Sequence, residues 1–141
     1  MTYQNKYKGT SFIRPFSPKR PVKSFLDLEV YQKALAICVA VVKRISGQPE
    51  LQDCVIAIPR LIATAHSLRF SDHEKSIAVL EDCMLKCNLA VVYLEQCRDM
   101  YNKDIEVEFF EEQIKSLLAL RNKIMRLQIS WKKFKEDKND V

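Results

Sequence analysis

The sequence predicts an all-α protein, an up-down-up-down antiparallel four-helix bundle with a flexible basic N-terminal arm. Four segments carry apolar residues at helical spacing, and the 141-residue chain contains only two glycines. The segments are joined by only a few residues, which places sequential helices antiparallel. With 48% hydrophobic residues, the chain is able to bury the core of one domain. We expect a disordered basic arm over 1–23, the bundle over 24–136 and a disordered tail over 137–141.

The first helix is predicted over about 25–46. Ser24 and Asp27 have the spacing of a capping box, and Gly47 provides a C-terminal stop. Apolar residues recur on one face of this segment, which we expect to be its core face: Leu28, Tyr31, Leu35, Cys38, Val42 and Ile45.

The second helix is predicted to begin near Pro49, because proline is favoured in the first turn of a helix. Pro59 lies in its interior, where a proline removes one backbone hydrogen bond and kinks the helix. A break into two helices at 58–59 is the alternative. The expected core face is Leu51, Cys54, Val55, Ile58, Leu61, Ile62 and Ala65.

The third helix is predicted over about 72–101, after a second capping box formed by Ser71 and Glu74. Its apolar stripe is Ile77, Leu80, Met84, Cys87, Val91, Leu94 and Tyr101. Asp104 is the expected cap of the fourth helix, which should extend to about residue 136.

The fourth helix carries two apolar stripes. The first is the expected core seam: Phe110, Leu117, Leu120, Ile124, Leu127, Trp131 and Phe134. The second consists of Ile114, Leu118, Met125 and Ile129. A bundle buries one face of each helix, so a second apolar face predicts a homo-oligomer interface.

Charge is unevenly distributed along the chain. Residues 1–26 hold six basic residues and no acidic one, so the remaining 115 residues hold 17 basic and 18 acidic residues and sum to −1. The basic residues of the arm are Lys6, Lys8, Arg14, Lys19, Arg20 and Lys23. Five aromatic residues interleave with them, a mixture that suits single-stranded nucleic acid, although a solvated tail is the alternative. Arg121, Arg126, Lys132 and Lys133 extend this candidate nucleic-acid-binding set to the fourth helix.

No motif points to catalysis. The sequence lacks a glycine-rich phosphate loop and a Gly-x-Ser-x-Gly elbow, so we expect no catalytic residue, no cofactor and no enzymatic activity. Cys83 and Cys87 with His66 or His73 would form a zinc site only if the fold joined them, and burial as small apolar residues is the favoured interpretation. We therefore expect no metal.

The five cysteines are an odd number on or beside apolar stripes, which is typical of a reduced protein. The longest apolar run, Ala34–Val42, is too short to span a membrane, and no signal peptide is recognisable. We therefore expect a soluble cytoplasmic protein without a membrane partner.

Two short motifs resemble a known family. The first helix opens with Asp27-Leu28-Glu29-Val30-Tyr31-Gln32-Lys33-Ala34. This run is similar to the start of the four-helix-bundle proteins encoded in the intervening sequences of bacterial 23S ribosomal RNA, and Ile58-Pro59 matches the mid-helix proline of that family. The family includes the accessory variability determinant proteins of diversity-generating retroelements. These are resembled by the long third helix, the restart at Asp104 and the ending Ser130-Trp131-Lys132.

The resemblance covers about residues 24–134, with one departure. Intervening-sequence members usually continue after the proline with Ala-Asn-Ile-Ala-Glu-Gly, whereas this chain has Arg60-Leu61-Ile62-Ala63-Thr64-Ala65. The departure favours the retroelement subgroup.

The resemblance implies a pentameric barrel of bundles with a positively charged surface. In the retroelement subgroup it also implies a protein that binds template RNA and assists a reverse transcriptase. Our first hypothesis is therefore a non-catalytic accessory protein that binds RNA, with DNA as a further ligand. The alternative is an intervening-sequence-type bundle that serves as a structural or protein-interaction module.

Overall fold

The computed structural model describes the backbone of residues 23–139 and the side chains of residues 23–137. This part of the chain is helical and contains no strand. After a 3-10 turn at Phe25–Asp27 come four α-helices, with a π-helical turn at Cys97–Tyr101 between the last two. The helices are α1 Glu29–Arg44, α2 Pro49–Leu68, α3 His73–Gln96 and α4 Val107–Asn139. The predicted all-α four-helix bundle is confirmed. Most of the predicted arm, including Lys6, Lys8, Arg14, Lys19 and Arg20, lies outside the described residues.

Helices α2 and α3 pack antiparallel, with two thiols at their interface. Cys54 Sγ donates a hydrogen bond to the carbonyl of Lys86 at 3.1 Å. The Cys83 thiol donates to the carbonyl of Ile58, with Sγ 3.6 Å from the oxygen. Residue numbers on α3 therefore decrease in the direction in which those on α2 increase.

Helix α4 closes the bundle against α1, also in antiparallel orientation. The Lys123 ammonium lies 3.3 Å from the carboxylate of Glu29 in the first turn of α1. At the other end of α1, Arg44 pairs with Glu106 at 2.5 Å, just before α4 begins. All four side chains are partly exposed, so these ion pairs mark the orientation of the helices more than they stabilise it.

The bundle therefore has two distinct ends. One is formed by the entry of the chain into α1 (23–29), the α2–α3 connection (69–72) and the C-terminal part of α4, and we call it the entry end. The other is formed by the connections 45–48 and 97–106, and we call it the distal end. The candidate ligand contacts described below lie largely towards the entry end.

The buried face of α1 differs from the predicted one. The buried residues of this segment are Leu28, Val30, Ala34, Ile37, Val41 and Ile45. Leu35 and Val42 were expected in the core and are exposed. The run Ala34–Val42 is apolar all round the helix, so its composition fits more than one register, and packing against α2 and α4 selects the face with small Ala34.

Helix α2 begins with Pro49 in its first turn, as predicted. The helix continues through Pro59, which is itself buried, so the alternative of two helices broken at 58–59 is wrong. Of the predicted core residues only Leu61 is partly rather than fully buried. Burial of the flanking apolar residues offsets the hydrogen bond that the proline removes.

The cap of α3 is Asp72 rather than Ser71. Helix α3 begins at His73, and the Asp72 carboxylate accepts a hydrogen bond from the backbone N–H of Lys75 at 3.2 Å. The predicted capping box of Ser71 and Glu74 is one residue out of register. The carboxylate also interacts favourably with the positive end of the helix dipole.

Replacing Asp72 with alanine should lower the free energy of unfolding by about 1 kcal/mol, because the backbone N–H of Lys75 loses its acceptor and the start of α3 loses a favourable negative charge. Ser71→Ala is the matched control and should change the free energy of unfolding by only a few tenths of a kcal/mol. Urea unfolding followed by circular dichroism measures both. A larger loss of stability for Ser71→Ala than for Asp72→Ala would mean that Ser71 is the cap, as the sequence pattern predicted.

Helix α4 starts later and ends later than predicted. The expected cap Asp104 precedes it by three residues, because Asn102 closes the connection by accepting the backbone N–H of Ile105 at 2.9 Å and donating to its carbonyl at 2.7 Å. The helix continues to Asn139, so residues 137–139 of the predicted tail are helical.

Burial along the α4 seam fades toward its C-terminus. Four predicted seam residues are buried, namely Phe110, Leu117, Leu120 and Ile124. Leu127 and Trp131 are partly buried, whereas Phe134 is 54% exposed. Gln128 donates to the carbonyl of Ile77 in the second turn of α3, so the turns of α4 after it extend past the start of α3.

Tyr101, predicted on the α3 stripe, is also exposed, because it lies in the π-helical turn at the distal end.

Candidate nucleic-acid interface

Helix α4 and the residues that lead into it are divided into an acidic and a basic segment. Residues 104–112 hold five acidic residues and no basic one: Asp104, Glu106, Glu108, Glu111 and Glu112. Residues 113–135 hold seven basic residues and no acidic one: Lys115, Arg121, Lys123, Arg126, Lys132, Lys133 and Lys135. Within residues 104–135 the negative charge therefore lies at the distal end and the positive charge extends towards the entry end, where Glu136 and Asp137 follow the basic segment.

The helix dipole accounts for only part of this pattern. Acidic residues stabilise the start of a helix and basic residues its end, but the effect decays within one turn of each terminus. The acidic segment fits this explanation. The basic segment begins at Lys115, about seven turns before the last helical residue Asn139. Helix stability therefore does not explain the length of the basic segment, which favours a role in binding a ligand.

Two cations of the basic segment are engaged within the bundle. Lys123 pairs with Glu29. Arg121 is partly buried, lies within 3.7 Å of the sulfur of Met125, and lines a shallow α3–α4 groove with Glu81 and Asp82. Arg121 is therefore the least suited of the four predicted helix-borne contacts to bind phosphate.

The other cations of the segment are exposed and make no hydrogen bond or ion pair with residues 23–137. They are Lys115, Arg126, Lys132, Lys133 and Lys135. Lys115, Arg126 and Lys133 are spaced by roughly three and two helical turns, which aligns them on the outer face of α4 over about 27 Å. Three of the four predicted helix-borne contacts, Arg126, Lys132 and Lys133, are thus available to a ligand.

Lys23, the only predicted arm contact inside the described residues, is exposed at the entry end. Its backbone N–H donates to Asp27 Oδ2 at 3.1 Å, next to the capping box of Ser24 that starts the 3-10 turn. The arm therefore joins the bundle at the end where α1 meets the basic segment of α4.

A cleft at the entry end was not predicted. It has a volume of about 430 Å³ and lies between the α2–α3 connection and the C-terminal turns of α4. Its lining residues are Arg69, Phe70, His73, Ser130, Trp131, Phe134 and Lys135. The sequence pattern assigned Trp131 and Phe134 to the core and gave no role to Arg69 and Phe70. The feature of the sequence that could have indicated this cleft is Phe70, a large aromatic residue in a short connection, where turn-forming residues predominate.

Arg69 is the cation of this cleft that makes hydrogen bonds with the bundle. Its guanidinium donates to the carbonyl of His66 at 2.6 Å and lies 4.2 Å from the centre of the Phe70 ring. The His66 ring is buried, 6.3 Å from that of Trp131. Burial, and then the charge of Arg69, lower the pKa of His66. The imidazole is therefore neutral at pH 7, and the cleft's charge comes from Arg69 and Lys135.

The thiols are packed as core residues. Cys83 and Cys87 are fully buried, and the hydrogen bond to Cys87 together with burial raises the pKa of Cys83. Burial raises the pKa of Cys54 to about 11. Within residues 23–137, no three histidine, cysteine or acidic side chains are arranged to hold a metal ion. The alternative of a zinc site with His66 or His73 therefore has no structural support.

The second stripe of α4 is divided between core and surface. Ile114 and Met125 are partly buried against the core, whereas Leu118 and Ile129 are 46% and 54% exposed. Helix α3 adds three exposed apolar residues at i, i+4 and i+7 spacing, which sequence reasoning missed. We call the combined set the α3–α4 apolar surface: Leu85, Leu89, Val92, Leu118 and Ile129.

None of the helices in the described part of the chain combines the length and apolarity needed to cross a bilayer. Comparison with known protein families, curated proteins and solved structures finds no match for this chain. The charge, exposure and packing of its own residues are therefore the observations that bear on function.

Proposed function

We propose that this chain is a non-catalytic nucleic-acid-binding accessory protein, which binds template RNA as the partner of a reverse transcriptase in a diversity-generating retroelement. The observation that carries the proposal is the basic segment of α4, seven cations without an acidic residue over 113–135, five of them exposed and unpaired among the described residues. A row of exposed cations of this length is typical of proteins that bind a phosphate backbone.

The arm adds five cations in sequence before Lys23. Lys23 itself is exposed at the end of the bundle where Lys123 contacts Glu29. Lysine and arginine side chains that contact phosphates do not read the bases, so we expect weak sequence selectivity. Single-stranded RNA and DNA should both bind, with affinity falling as salt rises.

We also propose that the protein acts as a homo-oligomer, most simply the pentamer that the family resemblance implies, in the cytoplasm. The α3–α4 apolar surface supports this proposal, because exposed leucine, valine and isoleucine side chains at helical spacing favour burial against another copy. Assembly would repeat the basic segment around one particle. A long RNA would then engage several segments at once, which raises its overall affinity.

One observation favours the second candidate function, an intervening-sequence-type bundle that docks a protein. Helix α1 exposes an apolar stripe, Leu35, Val39 and Val42, outside the basic segment. A stripe of this kind suits an amphipathic partner helix. Gene neighbourhood separates the candidates, since a reverse-transcriptase gene beside this one supports the first and a reading frame inside a ribosomal RNA gene supports the second.

Replacing Arg126 and Lys133 with glutamate should weaken binding of single-stranded RNA at every salt concentration. Each phosphate contact on a single strand contributes about 0.7 to the slope of log affinity against log salt, so losing two should flatten the slope by about 1.4 per engaged subunit. Fluorescence anisotropy of a labelled oligonucleotide measures both quantities. The matched control is Lys43→Glu with Lys103→Glu, an identical change in net charge at exposed distal-end positions, which should have a much smaller effect.

The same titration on a chain without residues 1–22 measures the contribution of the arm, whose five cations there should account for up to about 3.5 of the slope. Equal binding by the charge-reversed, control and truncated proteins would exclude the nucleic-acid function and leave protein docking.

A further inference from the structure

We propose that the cleft at the entry end is a stacking site for an unpaired nucleobase of a single-stranded nucleic acid. This inference rests on the proposed function and deepens it, since it names the place where a base rather than a phosphate is bound. Three aromatic rings, Phe70, Trp131 and Phe134, converge there from two different parts of the chain.

The exposure of Phe70 is the first observation. Its side chain is 74% exposed in the α2–α3 connection, although only four residues separate the two helices and polar residues would serve the turn as well. Trp131 is partly buried beside it and presents the remainder of its ring to the cleft. A volume of about 430 Å³ lies in the range of small-molecule binding sites, about 300–1,000 Å³, and is ample for one base.

The charge of the cleft is the second observation. Arg69 and Lys135 line it, and no carboxylate does. Arg69 is held by the carbonyl of His66, so its guanidinium is fixed in place beside the Phe70 ring. The nearby Asp72 carboxylate is engaged at the start of α3. An apolar ligand would leave the cations unmatched and a non-aromatic anion would leave the rings unmatched, whereas a nucleotide offers an aromatic face to the rings and a phosphate to the cations.

The position of the cleft is the third observation. Lys132 and Lys133 follow Trp131 directly and are exposed, and Arg126 and Lys133 continue along the outer face of α4. At about 100° per residue Lys133 lies about 160° around α4 from Trp131, so a strand on the outer face reaches the cleft by passing around the helix near its end, by way of Lys132. The cleft therefore fits as the terminus of the basic segment, where the strand is held by stacking.

The test uses the intrinsic fluorescence of Trp131, the single tryptophan of the chain. The full-length protein is titrated with an oligouridylate and with an abasic oligonucleotide of the same length and charge. We expect the oligouridylate to quench Trp131 and to bind more tightly than the abasic strand. Phe70→Ala should weaken oligouridylate binding about tenfold, within the range reported for removing one stacking partner, and should remove the preference over the abasic strand.

Two further variants sharpen the test. Phe70→Leu keeps an apolar side chain and removes the ring, so it should behave like Phe70→Ala if stacking is responsible. Tyr101→Ala removes an aromatic ring that is 56% exposed at the distal end and should leave binding unchanged. Because Phe70 and Tyr101 are both exposed, neither substitution should disturb the fold, and circular dichroism verifies this.

Each outcome has a distinct meaning. If Phe70→Ala binds like the wild type and Trp131 emission does not respond, while binding remains salt-dependent, the cleft inference is overturned and the proposed function stands. Equal affinity for the abasic strand and the oligouridylate also overturns it. If the wild type binds neither strand, the proposed function fails with the inference, and quenching by an acidic aromatic peptide in that case would assign the cleft to a protein partner.

Discussion

Phe110→Ala is expected to lower the free energy of unfolding by about 3–5 kcal/mol, the cost of removing a large aromatic side chain from a packed core. Phe110 is fully buried near the start of α4 and packs edge-on against Phe109 with ring centres 6.0 Å apart. Truncation leaves a cavity that the surrounding helices fill only in part. Urea unfolding followed by circular dichroism, at one fixed protein concentration, measures the loss.

Phe134→Ala is the matched control, because it changes the same amino acid on the same predicted seam of the same helix. Phe134 is 54% exposed, so its truncation should cost no more than about 1 kcal/mol. Equal losses for the two variants would mean that the last turns of α4 belong to the core in solution.

The second large effect concerns assembly. Replacing Leu118 and Ile129 with glutamate should reduce the mass measured by light scattering from several times 16.5 kDa to that of the single chain. Burying two carboxylates in an apolar interface costs more free energy than a subunit contact provides. Helical circular dichroism should persist, since both side chains are about half exposed in the single chain. Met125 is unsuited to this test because it is partly buried against the core.

Met100→Glu is the control, an exposed apolar residue of the π-helical turn at the distal end, away from the α3–α4 apolar surface. It should leave the mass unchanged. A wild-type protein that is already monomeric at micromolar concentration would exclude the oligomer, and dissociation by Met100→Glu as well would indicate general destabilisation.

The number and order of the helices could be predicted because apolar spacing and short connections are local properties of the chain. The buried face of each helix and the residue at which it begins were less predictable. In α1 the apolar run Ala34–Val42 offers several faces, and only packing against neighbouring helices excludes Leu35 and Val42 from the core. At α3, Ser71 and Asp72 are both good caps, and the pattern of nearby acids indicated the wrong one.

The candidate site divides in the same way. The cations of α4 are visible in the sequence because charge is a property of composition, and Arg126, Lys132 and Lys133 are exposed, as the proposed role requires. The cleft was not foreseeable, since it depends on how far α4 extends beyond the start of α3. Trp131 continues the spacing of the seam, but the helix that would cover it has ended there, so a seam residue becomes part of a surface.

The separation of acidic and basic residues along α4 has a kinetic consequence. The helix is about 50 Å long, whereas the Debye length at physiological ionic strength is about 8 Å, so the two ends act as independent fields. A polyanion that diffuses toward the protein is repelled by one end and attracted by the other, and it is oriented before any contact forms. At about 0.01 M salt the Debye length grows to about 30 Å, so both fields reach further from the helix. The net charge of +5 understates the attraction at the basic end, and encounter should become slower and less oriented as salt is added.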